Sequence, residues 1–117
     1  MAQNNAGHAE EFNTTATGIS FHAEGYQTTS TGIAAHAEGV STNTNGMTGA
    51  HIMGQCGQAA DPFSCFLANG TDPGNLGLGT KIIGNDPLQP GVTNAYIDGA
   101  WIPGGADYAE MFETVGG

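Results

Sequence analysis

The sequence predicts an all-β chain: a repeat β-roll or β-helix followed by a compact β-rich domain. Three observations predict it. The first is internal repetition. Gly7-His8-Ala9-Glu10-Glu11 returns as Phe21-His22-Ala23-Glu24-Gly25 and as Ala35-His36-Ala37-Glu38-Gly39, then in altered form as Ala50-His51-Ile52-Met53-Gly54. The histidines are 14, 14 and 15 residues apart. Between these blocks recur Thr17-Gly18-Ile19, Thr31-Gly32-Ile33 and Asn45-Gly46-Met47. Self-similarity at a fixed period marks units that stack on one another. The second observation is residue usage. Gly and Thr are poor helix formers, β-branched residues favour extended backbone, and Gly supplies positive φ at corners. A 14-residue turn of two short strands therefore suits a narrow β-roll. The third is the scarcity of large apolar residues. A lone chain of this kind struggles to bury enough surface to offset its ordering entropy, so an obligate oligomer is expected.

Taken in order, residues 1–12 read as an incomplete first repeat and residues 13–49 as the clean ones. Gln27-Thr28-Thr29-Ser30 and Ile33-Ala34-Ala35-His36-Ala37 are the flat runs between Gly corners. Collagen is excluded because Gly does not recur every third residue. The polar, aromatic-poor composition also fits disorder, but the shared register of several repeating positions counts against it. After Gly54 the pattern changes. Asp61-Pro62, Asp72-Pro73 and Asp86-Pro87 are turn signals. Residues 63–69, 75–84 and 94–102 read as short strands. This half holds Phe63, Phe66, Tyr96, Trp101, Tyr108 and Phe112, and is expected to form the compact core. The domain reading is residues 1–54 for the repeat roll and 55–117 for the β-rich domain.

The 117 residues include 11 acidic side chains and one basic one, Lys81, for a formal net charge of −10. That argues against nucleic acid and against anionic membrane surfaces, both of which recruit Lys and Arg. The acidity keeps an extended Gly-rich surface soluble. No run reaches the roughly 18 apolar residues of a membrane span. Met1-Ala2-Gln3-Asn4-Asn5 has neither the basic nor the apolar region of a secretion signal. Cys56 and Cys65 are expected as reduced thiols, the alternative being a small disulfide loop.

The histidines are the first candidates for chemistry. On a 14-residue roll His8, His22, His36 and His51 fall one above another, as do Glu10, Glu24 and Glu38 two positions on. Imidazole and carboxylate are good metal ligands, and in a symmetric trimer they form rings around the axis. The alternative is that His and Glu hydrogen-bond between turns or subunits and set the register. The second reading is the expectation: no metal and no cofactor. Ser64 lacks the context of a catalytic nucleophile, and no phosphate-binding Gly loop follows a strand. Near the end, Gly104-Gly105-Ala106-Asp107-Tyr108-Ala109-Glu110 reads in two ways. As a capping box, Asp107 caps a short helix with Glu110 three residues on. As a functional pair, two carboxylates follow a flexible segment and stand ready to move a proton at a nearby peptide bond.

These motifs together resemble one family. The Thr-Gly-Ile-x-x-His-Ala-Glu-Gly repeats, Ala50-His51-Ile52-Met53-Gly54, Phe66-Leu67-Ala68-Asn69-Gly70 and Gly105-Ala106-Asp107-Tyr108-Ala109-Glu110-Met111-Phe112-Glu113 are similar to the autoproteolytic region of phage pre-neck appendage and tail-fibre proteins, the intramolecular-chaperone autocleavage or G2 peptidase family. The repeats also resemble the β-roll heads of trimeric autotransporter adhesins. The resemblance spans roughly residues 7–113. It implies a homotrimeric β-rich fibre tip in the virion, assembled in the host cytoplasm, which in some settings meets a host surface receptor. It implies a C-terminal chaperone, expected outside this sequence, that is released by self-cleavage. The scissile bond is then Ala106–Asp107, Glu110 is catalytic, and Asp107 positions the bond or shares the proton. The alternative expectation is a non-catalytic structural or adhesin-like fibre tip.

Overall fold

The computed structural model describes the backbone of residues 2–3 and all of residues 7–102. Ala106, Asp107, Glu110 and the expected helix cap lie outside the described residues. Within the described residues the chain is all-β with no helix, a β-solenoid of about four turns. Ten strands follow in order: β1 (Ala2–Gln3), β2 (His8–Phe12), β3 (Thr15–Ile19), β4 (His22–Tyr26), β5 (Thr29–Ile33), β6 (His36–Asn43), β7 (His51–Gln58), β8 (Cys65–Asn69), β9 (Leu78–Ile83) and β10 (Asn94–Ile97).

Two walls make each turn. β2, β4, the first half of β6, the first half of β7, and β8 stack as one parallel wall. β1, β3, β5 and the far ends of β6 and β7 stack as the other. The repeat length sets the register, so His22 pairs with both His8 and His36, and His36 pairs with His51. The extra residue of the 15-residue step is absorbed in a corner. There Met47 N–H bonds Thr44 O at 3.0 Å and Ala50 N–H bonds Met47 O at 3.3 Å, and the wall beyond stays in register.

The structural unit is half the sequence repeat. Gly18, Gly25, Gly32 and Gly39 have φ of +134°, +109°, +106° and +105°, seven residues apart. Two positions after each, Ser20, Gln27, Ala34 and Ser41 sit in the left-handed region, with φ between 54° and 56°. Gly thus opens each corner, while a residue with a side chain completes it. Each such residue costs about 1–2 kcal/mol of backbone strain. Bonds to the turn below offset it: Gln27 N–H reaches Phe12 O and Ala34 N–H reaches Ile19 O, each at 2.9 Å.

Small side chains line most of the interior. Ala16, Ala23, Ser30, Ala37 and Thr44 are wholly buried along it, and a second buried series at the same seven-residue spacing is Phe21, Thr28, Ala35 and Thr42, with the Phe21 ring packed against Ala16 and Ala23. Thr44 uses its hydroxyl to accept from Thr31 N–H at 2.8 Å and donate to Thr31 O at 2.6 Å, which satisfies a buried polar group.

The parallel ladder runs across Gly54, where the sequence pattern changes, and continues to Asn69. β9 then pairs antiparallel with β8, and β10 antiparallel with β9, which closes that end of the stack. The expected strands at 63–69, 75–84 and 94–102 correspond to the shorter β8, β9 and β10. Ile52, Phe66 and Ile83 cluster here with Ala37, Ala50, Ala59 and Ala68, and Tyr96 packs against them. Of the other expected core aromatics, Phe63 and Trp101 are exposed, and Tyr108 and Phe112 fall outside the described residues. Phe63 sits at a corner with φ of 50°, which turns its ring outward beside Gly49. At two of the three turn signals the carboxylate accepts hydrogen bonds. Asp72 accepts from Gly74 N–H and from Asn75, and buried Asp86 accepts from Leu88 N–H, Asn94 and the Tyr96 hydroxyl. Cys56, buried, and Cys65, exposed, are free thiols.

The glycine corners give a direct comparison. A Cβ on Gly39 would lie 2.2 Å from Gly54 O, at a φ of +105°. A Cβ on Gly46, at φ +75°, meets nothing within 4 Å. In denaturant unfolding Gly46→Ala is expected to cost about 1–2 kcal/mol, strain alone, and Gly39→Ala clearly more. Equal losses would contradict the close stacking of turns.

Candidate functional site: a histidine–glutamate ladder and two apolar rows

The parallel wall that carries the His-Ala-Glu blocks alternates its side chains across the sheet. Ala9, Ala23 and Ala37 point inward, so His and Glu on either side point outward on one face. In-register stacking then builds two columns. His8, His22, His36 and His51 stack ring on ring, with centroids 4.6, 4.5 and 4.4 Å apart and planes within 27°, 12° and 12°. The carboxylates run alongside. His8 Nε2 lies 3.4 Å from Glu10, His22 Nε2 3.5 Å from Glu24, and His36 Nε2 3.8 Å from the other oxygen of Glu24. His51 Nε2 and Glu38 form a hydrogen bond of 2.9 Å. The stacked ladder is the arrangement the repeat spacing predicts.

The ladder shifts two of its groups. The hydrogen bond from His51 holds the Glu38 carboxyl below its usual range, with the nearby imidazoles of His36 and His51 adding to the effect. Partial burial pushes His36 below the ordinary imidazole value, and its stacked neighbours His51 and His22 act in the same direction. Glu38 and Glu24 oppose that shift without cancelling it. The Nε2 atoms of His22 and His36 are shielded from solvent and make no hydrogen bond.

A second feature comes from the corners. The residue after each of four corner glycines is large, apolar and outside: Ile19 is 50% exposed, Tyr26 47%, Ile33 52% and Val40 42%, and Phe12, after Glu11 in the same place, 63%. Because turns stack in register they form two rows. Phe12, Tyr26 and Val40 follow the histidine wall, and Ile19 and Ile33 follow the threonine wall. The Phe12 and Tyr26 rings stack 5.1 Å apart. Sequence reasoning about sites missed these rows. The signal was present as Gly18-Ile19, Gly25-Tyr26, Gly32-Ile33 and Gly39-Val40, an apolar residue after Gly at a seven-residue spacing.

No protein-family model matches the chain, and comparison with curated proteins and with solved structures finds no match.

The His36 shift has a defined sign. With its pKa lowered in the fold, the unfolded chain takes up a proton below about pH 6.5 that the folded chain refuses. Stability is therefore lost as pH falls from about 6.5 towards the lowered value. Glu38 adds its loss further into acid, as pH drops through its depressed value. The groups facing His36 are His22, His51, Glu24 and Glu38. Thermal melting between pH 7.5 and 5.5 is expected to show a smaller acid-side drop for His36→Asn than for the wild type. An unchanged drop would contradict the assignment.

Proposed function

We propose that the chain is a segment of a homotrimeric phage tail-fibre or appendage tip, built to associate side by side with copies of itself. The observation that carries this is the pair of apolar rows. Phe12, Ile19, Tyr26, Ile33 and Val40 stand on the outside of the solenoid, and contiguous exposed apolar surface marks an interaction surface. Full burial is worth about 1.5–3 kcal/mol for each such side chain. Rows that follow the coil suit partners that run alongside it. The number three, the virion setting and a host receptor rest on the resemblance of the repeats and of the Asp-Tyr-Ala-Glu block.

In this reading residues 55–117 are the domain that carries the self-cleavage site. Glu110 activates a water that adds to the Ala106 carbonyl carbon, or protonates the departing Asp107 nitrogen, and the Ala106–Asp107 bond breaks. Asp107 positions the bond. This chemistry calls for a carboxyl group that gives and takes a proton near neutral pH. Cleavage then reports completed assembly. No cofactor enters. The alternative is a non-catalytic structural or adhesin-like tip, which needs only the solenoid and its apolar rows.

Native and denaturing mass spectrometry separate these readings. The expected result is a trimer in the wild type and loss of assembly in Ile33→Asp. A monomeric wild type contradicts the assembly reading. In a chain extended by its chaperone segment, a mass loss beginning at Asp107 that Glu110→Gln abolishes supports the protease. Uncleaved trimers in both support the structural tip.

A further inference from the structure

We propose that the histidine–glutamate ladder is a divalent transition-metal site that takes about two ions of the zinc class per chain. The inference stands on the ladder alone and does not depend on the fibre reading. Three triads recur along it: His8, Glu10 and His22; His22, Glu24 and His36; His36, Glu38 and His51. In each, one ligand atom per residue lies within 4.8 Å of the others. Two imidazole nitrogens and one carboxylate oxygen form a donor set for zinc, nickel or cobalt rather than for calcium or magnesium, which prefer all-oxygen sites.

A second observation points to a ligand. Nε2 of His22 and Nε2 of His36 are shielded from water and make no hydrogen bond, the Glu24 oxygens standing 3.5 and 3.8 Å off, at ion-pair distance. A shielded polar atom without a partner is costly and calls for one. An ion supplies it. The rings are stacked nearly parallel, so two neighbours share an ion only after tilting about χ2, a broad and soft torsion. The His8–His22 pair stands 27° from parallel.

Connectivity sets the number of ions. Each Nε2 can hold one ion, and His22 and His36 each belong to two triads. Filling the middle triad would block both outer ones. Filling the outer triads uses all four histidines with Glu10 and Glu38, and leaves Glu24 free. Two ions are then separated by the unused middle rung, which also limits their mutual repulsion.

The test is equilibrium dialysis of the whole chain against zinc alone at neutral pH. About two ions per chain are expected for the wild type, about one for Glu10→Gln, about one for Glu38→Gln, and about two for Glu24→Gln. Fewer than one ion in the wild type overturns the proposal. So does a Glu24→Gln variant that loses as much as the other two, or outer variants that lose nothing. Where a variant fails to fold, cobalt(II) added to the wild type decides. Strong visible ligand-field absorption, as expected of a low-coordinate nitrogen and oxygen site, supports the proposal, and the weak spectrum of the hydrated ion overturns it.

Discussion

Every feature of this molecule depends on parallel stacking in which each residue lies over its own counterpart. A β-ladder sets neighbouring strands about 4.8 Å apart. With a 14-residue repeat that spacing applies to His on His, Ala on Ala and Gly on Gly. Small residues inside let the two walls approach closely. The inward positions take mostly Ala, Ser and Thr, with Phe21 and Ile52 fitted among them, and the residues that follow the corner glycines are carried outward. The approach is close at the glycines too, where the next turn's carbonyl occupies the space a Cβ would need. One constraint thus produces the narrow interior, the glycine corners, the polar ladder and the apolar rows.

Much of this was legible in the sequence. The 14-residue period fixed the columns of His and Glu, because register in a solenoid follows from repeat length alone. Asp72 and Asp86 were legible as turn formers because short carboxylates accept from nearby backbone N–H groups. The seven-residue half-repeat was not read. His-Ala-Glu and Thr-Ser-Thr look unrelated, and only the backbone dihedrals show that Gly25 and Gly32 do the same work. Nor was the run of the ladder past Gly54 visible. Cys65 shares no chemistry with His51, and Phe66 and Leu67 match Ile52 and Met53 only in being apolar, yet all three pair with them. Backbone hydrogen bonds need extended strands and register, not matching side chains.

The candidate site was legible in its residues and not in its energetics. Spacing placed the imidazoles together, but only the fold shows that shielding strands two Nε2 atoms and that Glu24 fails to satisfy them. The apolar rows were hidden for a different reason. Reading hydrophobic residues as interior is sound for globular chains and holds here for Phe21, Ile52 and Phe66, whereas the large residues that follow the corner glycines lie on the surface. The molecule therefore presents a polar, titratable wall and apolar corners on one rod, and each offers its own chemistry.

Stacking in register is tested most directly by lengthening the rod. Ten further copies of residues 22–35, inserted after Ala35, add ten turns. Electron microscopy of negatively stained particles is expected to show a rod longer by about 48 Å at unchanged width, since each turn adds one strand spacing of about 4.8 Å. Particles that widen, or that keep their length, would contradict the account.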